Sequence, residues 1–342
     1  MTSILNTFLL VKNNLGILII GLLFLSCNNK DSKTEKFTKK EIHSETFNAI
    51  RITENIYSIV SPSFGLPTPE NKGWNSNAHF IVTKNGVLLF DTGSSESIGH
   101  KIKRTIASVT NLPVRWVINS HSHADHWLGN AAFTDTLTEI ITSRRALTEM
   151  KKNGKDDVVF YNNVTKGKIG PTQLVFPSLI LDQSLKRNYG GVEVEFILVN
   201  GSHSPGDIIM WLPEQKIIFG GDVLSSDWMP IITDDVNIPS LINTLNSIAE
   251  LNPTQVLTGH GNATTVKSIE RDVLLLSNVW GQVKHDYKNG GRLEETLLKI
   301  KTKLNPEYKF LYKNYTTEIE RYIRLMYSLQ DKASVKTNSH NN

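Results

Sequence analysis

The sequence predicts an α/β fold in which two β-sheets pack face to face with helices outside, followed by a helical C-terminal part. Short β-rich runs begin near Ile50 and lead into a helix and a further strand, and the same order recurs in a second half. Beyond residue 265 the apolar spacing is helical only. Because each sheet must bury an apolar face, two successive strand-rich halves favour a sandwich of two sheets.

The elements of the first half follow from β-rich runs and one helical repeat. Strands are predicted at residues 55–60, 78–82, 86–91 and 114–118. Between the last two, Ile98, Ile102 and Ile106 recur at helical spacing behind Ser94 or Ser95 as the N-cap. In the second half, the predicted elements are strands at 192–198, 208–212, 216–219 and 255–258 and a helix around Leu241 and Leu245.

The charged residues do not indicate a nucleic-acid partner. The formal net charge is only +4, and the 37 Lys and Arg residues are scattered along the chain instead of forming a basic stripe. We therefore expect a small-molecule substrate and no nucleic acid.

The N-terminal segment resembles a bacterial lipoprotein signal. An apolar run at residues 15–26 follows Lys12 and ends directly before Cys27, the one cysteine of the chain. The run is shorter than the roughly 20 residues that span a bilayer. We expect a lipid on Cys27 and an exported, membrane-anchored protein in the periplasm or at the cell surface; plain secretion and an uncleaved anchor are the alternatives.

Histidine and carboxylate side chains crowd the segment after the strand at 114–118. Residues 119–127 read Asn-Ser-His-Ser-His-Ala-Asp-His-Trp, which places three imidazoles and a carboxylate within six residues. These groups are zinc ligands, and the position of Cys27 excludes a cysteine-based zinc site in the domain. Side chains this close in sequence diverge, so we expect two metal ions, one bound by His121 and His123, the other by Asp125 and His126.

The His-x-His-x-Asp-His pattern of His121, His123, Asp125 and His126 resembles the signature of the metallo-β-lactamase superfamily. The strand and turn order around it is similar to that family's αββα sandwich, over roughly residues 50–263. The resemblance implies three further metal ligands. These are His203 for the first ion, Asp222 as a bridging carboxylate and His260 for the second ion.

The resemblance also implies an activity. Two Zn²⁺ ions would share a hydroxide, oriented by Asp125, that attacks an ester, thioester, lactone or lactam carbonyl. The ions, carboxylates and hydroxide leave a charge of about +1, which favours an anionic substrate. Asp91 would support the ligand loop by hydrogen bonding. Residues 61–75, with Phe64 and Trp74, form a lid or an ordinary packed loop.

Two other functions remain open at this stage. One is a metallo-β-lactamase that hydrolyses β-lactam antibiotics, and the other is a non-catalytic zinc-binding lipoprotein. The predicted segments are a signal peptide at 1–26, a flexible tether at 27–47, the αββα domain at 48–265, C-terminal helices at 266–330 and a disordered tail at 331–342.

Overall fold

The structure, a computed structural model, describes residues 46–62, 65–234 and 236–339. The predictions for the signal peptide, for Cys27 and for Phe64 fall outside these residues.

The strands are β1 Ala49–Arg51, β2 Ile56–Ile59, β3 Ala78–Thr83, β4 Gly86–Phe90, β5 Val114–Ile118, β6 Glu139–Ser143, β7 Leu179–Leu181, β8 Leu185–Tyr189, β9 Val192–Val199, β10 Asp207–Leu212, β11 Ile217–Phe219 and β12 Gln255–Leu257. The helices are α1 Glu96–Val109, α2 Ala124–Trp127, α3 Arg144–Val164, α4 Ile238–Glu250, α5 Val266–Lys288, α6 Leu293–Tyr308 and α7 Tyr315–Ser339.

The first sheet has seven strands in the order β1-β2-β3-β4-β5-β6-β7. Strands β1 to β4 pair antiparallel, and β4 to β7 pair parallel. Both faces of β4 are buried: Leu88 and Phe90 contribute to one apolar cluster, Val87 and Leu89 to another. Burial on both faces explains why this strand is a continuous apolar run and does not alternate.

The second sheet has five strands in the order β12-β11-β10-β9-β8, and only β11 and β12 pair parallel. Phe196 of β9 and Met210 of β10 pack with Leu88 and Phe90 of the first sheet in one buried cluster. The core therefore lies between two facing sheets, as the sequence predicts.

Helices cover the outer faces of both sheets. Ile102 and Ile106 of α1 pack on the first sheet. On the second, Ile209 and Trp211 of β10 share a cluster with residues of α4, α5, α6 and α7. The predicted fold class, an αββα sandwich with a C-terminal helical extension, is confirmed.

The C-terminal helices differ from prediction at one end. Helix α5 begins at Val266, where the helical extension is predicted to start. Helix α7 continues to Ser339 and so includes the first part of the segment predicted as a disordered tail. Among the helices of the described ranges, none combines the length and apolar character needed to cross a membrane.

The candidate site residues all follow the ends of strands. His121 follows β5, His203 follows β9, Asp222 follows β11 and His260 follows β12. Connections of this kind place side chains from distant parts of the chain at one edge of the sandwich.

Candidate metal centre

Hydrogen bonds hold the histidine-rich loop in place. The Asn119 backbone N–H donates to the Ile141 carbonyl, and its side-chain amide donates to the His126 carbonyl at 3.1 Å. Trp127 is fully buried, and its indole N–H donates to the Ser122 carbonyl at 2.9 Å. The loop is therefore fixed at both ends by the core beneath it.

The first candidate site consists of His121, His123, His203 and Asp222, whose potential ligand atoms lie within 4.8 Å of one another. His123 Nδ1 lies 3.1 Å from His121 Nε2 and 2.9 Å from His203 Nε2. Two nitrogens on one tetrahedral zinc, each about 2.0–2.1 Å from it, are separated by roughly 3.3–3.4 Å. The three imidazoles thus face one another nearly as the ligands of a single ion would.

The second candidate site consists of Asp125, His126 and His260. His260 Nε2 lies 3.4 Å from Asp125 Oδ2, and His126 Nε2 lies 3.7 Å from the same oxygen. Asp222 lies between the two sites, with one oxygen 3.3 Å from His126 Nε2 and the other 3.3 Å from His260 Nε2 and 3.7 Å from His203 Nε2. Its carboxylate can therefore serve both.

Two buried polar atoms show that this arrangement fits metal ions. His126 Nε2 and Asp222 Oδ1 have no hydrogen-bond partner within the described residues, although both side chains are almost inaccessible to solvent. A buried polar atom without a partner costs about 1–3 kcal/mol. A cation between these atoms would remove that cost, so the donor set suits a pair of bound metals.

The protonation of the histidines also suits metal binding. Burial lowers the pKa of His121 well below its usual value, and it lowers the pKa of His123 to about 4. Both imidazoles are therefore neutral near pH 7 and offer a lone pair. Burial also opposes charge on His126, but the carboxylates of Asp222, Asp125 and Asp91 outweigh it and raise the pKa of His126 well above its usual value. Metal cations would displace that proton.

Asp91 is hydrogen-bonded to the ligand loop. Its carboxylate accepts hydrogen bonds from the Ser120 backbone N–H at 2.8 Å and from the Ser120 hydroxyl at 2.9 Å. Asp91 Oδ2 also lies 2.8 Å from His126 Nδ1. An acceptor at Nδ1 keeps the proton there, which leaves Nε2 directed at the site as a lone pair. Asp91 therefore joins Ser120 to His126, and its supporting function in metal binding stays a prediction.

A sequence profile of the metallo-beta-lactamase superfamily matches residues 71–260, more than half of the chain. The chain belongs to the metallo-β-lactamase superfamily.

Named relatives and solved structures point the same way. The chain is 24% identical over 220 residues to metallo-beta-lactamase IND-1 of Chryseobacterium indologenes, covering 64% of this chain and 77% of that protein. It is 27% identical over 195 residues to the probable metallo-hydrolase YqgX of Bacillus subtilis, covering 56% and 87%. A metallo-beta-lactamase from Pontibacter korlensis superimposes with a TM-score of 0.57 at 18% identity, over 68% of this chain and all of that one. The chain is a metal-dependent hydrolase of this superfamily, and a small-molecule substrate follows.

Glycine is required beside the carboxylate shared by the two sites of this superfamily member. A Cβ atom on Gly259 would lie 2.1 Å from Asp222 Oδ1 and 3.0 Å from His126 Cε1. The first distance is far inside van der Waals contact, and the second is a few tenths of an ångström too short. Only a residue without a side chain therefore lets the loop after β12 pass over Asp222.

Two contacts to Asp125 were not predicted from the sequence. Asn75 Nδ2 donates to Asp125 Oδ2 at 2.8 Å, and the Ser76 hydroxyl donates to the Asp125 carbonyl. Both side chains are buried. They lie about fifty residues before Asp125 in a polar stretch, where no local pattern distinguishes them from other loop residues.

The C-terminal helix α7 and the residue before it hold a loop that contacts His203. Tyr322 donates to the Pro230 carbonyl at 2.6 Å, and Asn314 Oδ1 accepts from the Met229 N–H at 2.9 Å. The next carbonyl in the loop, of Ile231, lies 2.9 Å from His203 Nδ1. The helical extension is thus connected to a candidate ligand through three consecutive residues.

A cavity with a volume of about 680 Å³ opens onto the candidate metal centre. Its walls come from residues 65–67, one face of α3, residues 228–231 and helix α7. Trp74, predicted as part of a lid, does not line it; the indole stacks on Phe47 with ring centroids 3.7 Å apart and packs beside the core of the first sheet. The position of Trp74 therefore corresponds to the second of the two predictions for residues 61–75, an ordinary packed loop. Leu66, at 75% exposure, lies at the cavity mouth instead.

Proposed function

We propose that this protein is a binuclear zinc hydrolase that cleaves a carbonyl substrate: an ester, a thioester, a lactone or a lactam. The observation that carries the proposal is the position of Asp222, within 3.3 Å of a histidine nitrogen of the second site and 3.7 Å of one of the first. The ligands of the first ion would be His121, His123 and His203. Those of the second would be Asp125, His126 and His260, with Asp222 bridging.

The donor set favours zinc. It contains only imidazole nitrogens and carboxylate oxygens, which zinc binds readily in open catalytic sites. When bound, the ions would supply a nucleophile from water at neutral pH and polarise the substrate carbonyl.

The side chains around the centre contribute orientation. Asp125 lines the cavity and is held by Asn75, so its carboxylate can accept a hydrogen bond from the attacking water and direct it toward the substrate. Asp91 keeps His126 in one tautomer. Both functions require geometry fixed before the substrate binds, and the hydrogen bonds around Asp91 and Asn75 provide it.

The test combines metal counting with turnover. The full chain, loaded with zinc, is assayed for hydrolysis of an aryl ester, an S-acyl thioester, a lactone and nitrocefin, and its zinc is measured by elemental analysis. We expect about two zinc ions per chain and turnover of at least one acyl substrate. His126→Ala should lose both zinc and activity, whereas His100→Ala, which removes an exposed imidazole of α1, should keep both. Full activity of metal-free protein would overturn the proposal.

β-Lactam hydrolysis is the second candidate, since IND-1 and the Pontibacter korlensis protein carry the name metallo-beta-lactamase. These antibiotics bear a carboxylate. Among the described residues that line the cavity, the one Lys or Arg side chain is Arg321, which donates to Glu318 at 2.7 Å. This charge distribution makes β-lactams the weaker proposal, and nitrocefin turnover would promote it.

We also propose that Cys27 carries a lipid that anchors the protein to a membrane of the cell envelope. The support is the apolar run at residues 15–26 that ends at this cysteine. Expressed in its bacterial host, the protein should fractionate with membranes, and Cys27→Ser should move it to the soluble fraction. Membrane association that survives this substitution would argue for an uncleaved anchor.

A further inference from the structure

One face of helix α3 forms a polar wall of the cavity. Glu149, Asn153 and Asp157 line the cavity at intervals of four residues, which places them on one side of the helix. Phe160 and Tyr161 continue this face toward its end. A substrate bound at the metal centre would extend past these side chains.

The charges on the cavity walls are unevenly compensated. Glu149 Oε2 lies 3.5 Å from Lys152 Nζ, and it accepts a hydrogen bond from the Asn153 side-chain amide at 3.3 Å. On the opposite wall, Glu318 is paired with Arg321. Within the described part of the chain, no hydrogen bond or ion pair reaches the Asp157 carboxylate.

Asp157 is therefore a half-buried carboxylate that faces the cavity without a cation. Burial, together with the nearby negative charges of Asp125 and Asp156, raises its pKa to about 6. At pH 7 the group is still mostly ionised. A carboxylate in this environment is stabilised by any cation that enters the cavity, because the apolar walls strengthen the attraction.

Apolar side chains line the same cavity as this carboxylate. The cavity contains Phe160, Trp228 and Met229 together with Leu66 at its mouth. Such walls suit a hydrocarbon chain between a reacting carbonyl at the metals and a charged end group. The substrate thus needs an apolar middle and a polar end.

We propose that the substrate carries a primary ammonium group that pairs with Asp157 while its carbonyl reaches the metal centre. This inference rests on the proposed hydrolase function and makes Asp157 its specificity-determining residue. This proposal replaces the expectation of an anionic substrate. The net positive charge of the metal ions would stabilise only the carbonyl oxygen, where negative charge develops. The one wall charge without a partner among the described residues, that of Asp157, is negative and favours a cationic end group.

The test uses three aryl esters of equal chain length that end in an ammonium, a hydroxyl or a carboxylate group. We expect the zinc-loaded wild type to hydrolyse the ammonium ester with a kcat/KM about tenfold or more above that of the hydroxyl ester, the size of a charge-assisted contact. Asp157→Asn should bring this ratio close to one, and Asp157→Lys should favour the carboxylate ester. Asp156→Asn, an exposed neighbour on the same helix, should keep the wild-type ratio.

A second measurement separates this inference from the proposed function. Calorimetry with hexylammonium and with hexan-1-ol reports on the cation site without turnover. If neither these esters nor the thioester, lactone and nitrocefin substrates are hydrolysed but hexylammonium binds in an Asp157-dependent way, the hydrolase proposal fails and the cation site stands. If the esters are hydrolysed without a preference for the ammonium form, or if Asp157→Asn leaves that preference intact, the inference is overturned and the hydrolase stands.

Discussion

The metal centre and the cavity walls are built in different ways. The seven candidate ligands follow strand ends, are almost fully buried apart from the partly buried His123 and His260, and are held by a network that includes Asp91, Ser120 and Asn75. The walls come from one helix face, from residues 65–67 and from a loop held by the C-terminal helix, and they include exposed groups such as Leu66. Because the buried centre and the more exposed walls come from different parts of the chain, the bond that is cleaved and the substrate that is selected can be altered separately.

The largest effect should come from the carboxylate shared by the two sites. Asp222→Ala removes a proposed ligand of both ions, so kcat/KM should fall by at least about a thousandfold and zinc content should drop below two per chain. Asp182→Ala, which removes an exposed carboxylate paired with Arg144, is the matched control. If Asp222→Ala kept turnover close to that of the wild type, the candidate metal centre would not be the part of the molecule that carries the chemistry.

A smaller loss is expected one step away from the ions. Asp91→Asn keeps the size of the side chain but no longer provides a negative acceptor for His126 Nδ1 and the two Ser120 donors. Losses of about 10- to 100-fold in metal affinity are typical of such supporting contacts. Competition with a chromophoric chelator measures this affinity; an unchanged value would mean that the packing of the loop alone orients His126.

The wall held by the C-terminal helix should tolerate change better. Tyr322→Phe removes the hydrogen bond to the Pro230 carbonyl, with an expected cost of about 1 kcal/mol in unfolding free energy and a several-fold rise in KM. Tyr315→Phe is a close control, because the buried Tyr315 hydroxyl has no hydrogen-bond partner in the described structure. Loss of the Tyr315 hydroxyl should leave the free energy of unfolding unchanged or slightly higher. Equal effects of the two substitutions would show that the loop does not depend on this contact.

The smallest predicted effect is a pH dependence at the wall. The pKa of Asp157 is raised to about 6, so the carboxylate is charged above that pH and neutral below it. Binding of hexylammonium to metal-free protein should be complete above about pH 7 and decline as the pH falls through about 6. Bound zinc would favour the ionised form and move the midpoint lower. Calorimetry between pH 5 and 8 tests this; a midpoint unchanged in Asp157→Asn would assign it to another group.

The sequence was most informative where a local pattern matches a local structure. Ser95 caps α1 by accepting from the Ile98 N–H, as the apolar spacing behind it predicts, and β5 leads directly into the His121 loop. The family, the sandwich and the position of each candidate ligand after a strand followed from such patterns. These features depend on neighbours in sequence.

Features that depend on distant pairing were missed. Strand β8 is an edge strand with the sequence Leu-Lys-Arg-Asn-Tyr, whose charges give little alternation to detect. Strand β6 was hidden because its buried Ile140 and Ile141 form only a short apolar run before α3. The contact of Asn75 with Asp125 joins residues fifty positions apart. The acidic wall of the cavity appears only once α3 lies opposite α7.

The glycine beside Asp222 gives a practical marker for sequences descended from this one. Because a methyl group at position 259 would overlap the shared carboxylate, a descendant could retain every histidine and aspartate of the centre and still be unable to close it. A larger residue at that position is expected to displace Asp222 and so to lower activity even where every ligand is retained. In a mutational library, the same position would separate variants that have lost the centre from those that have only changed what it accepts.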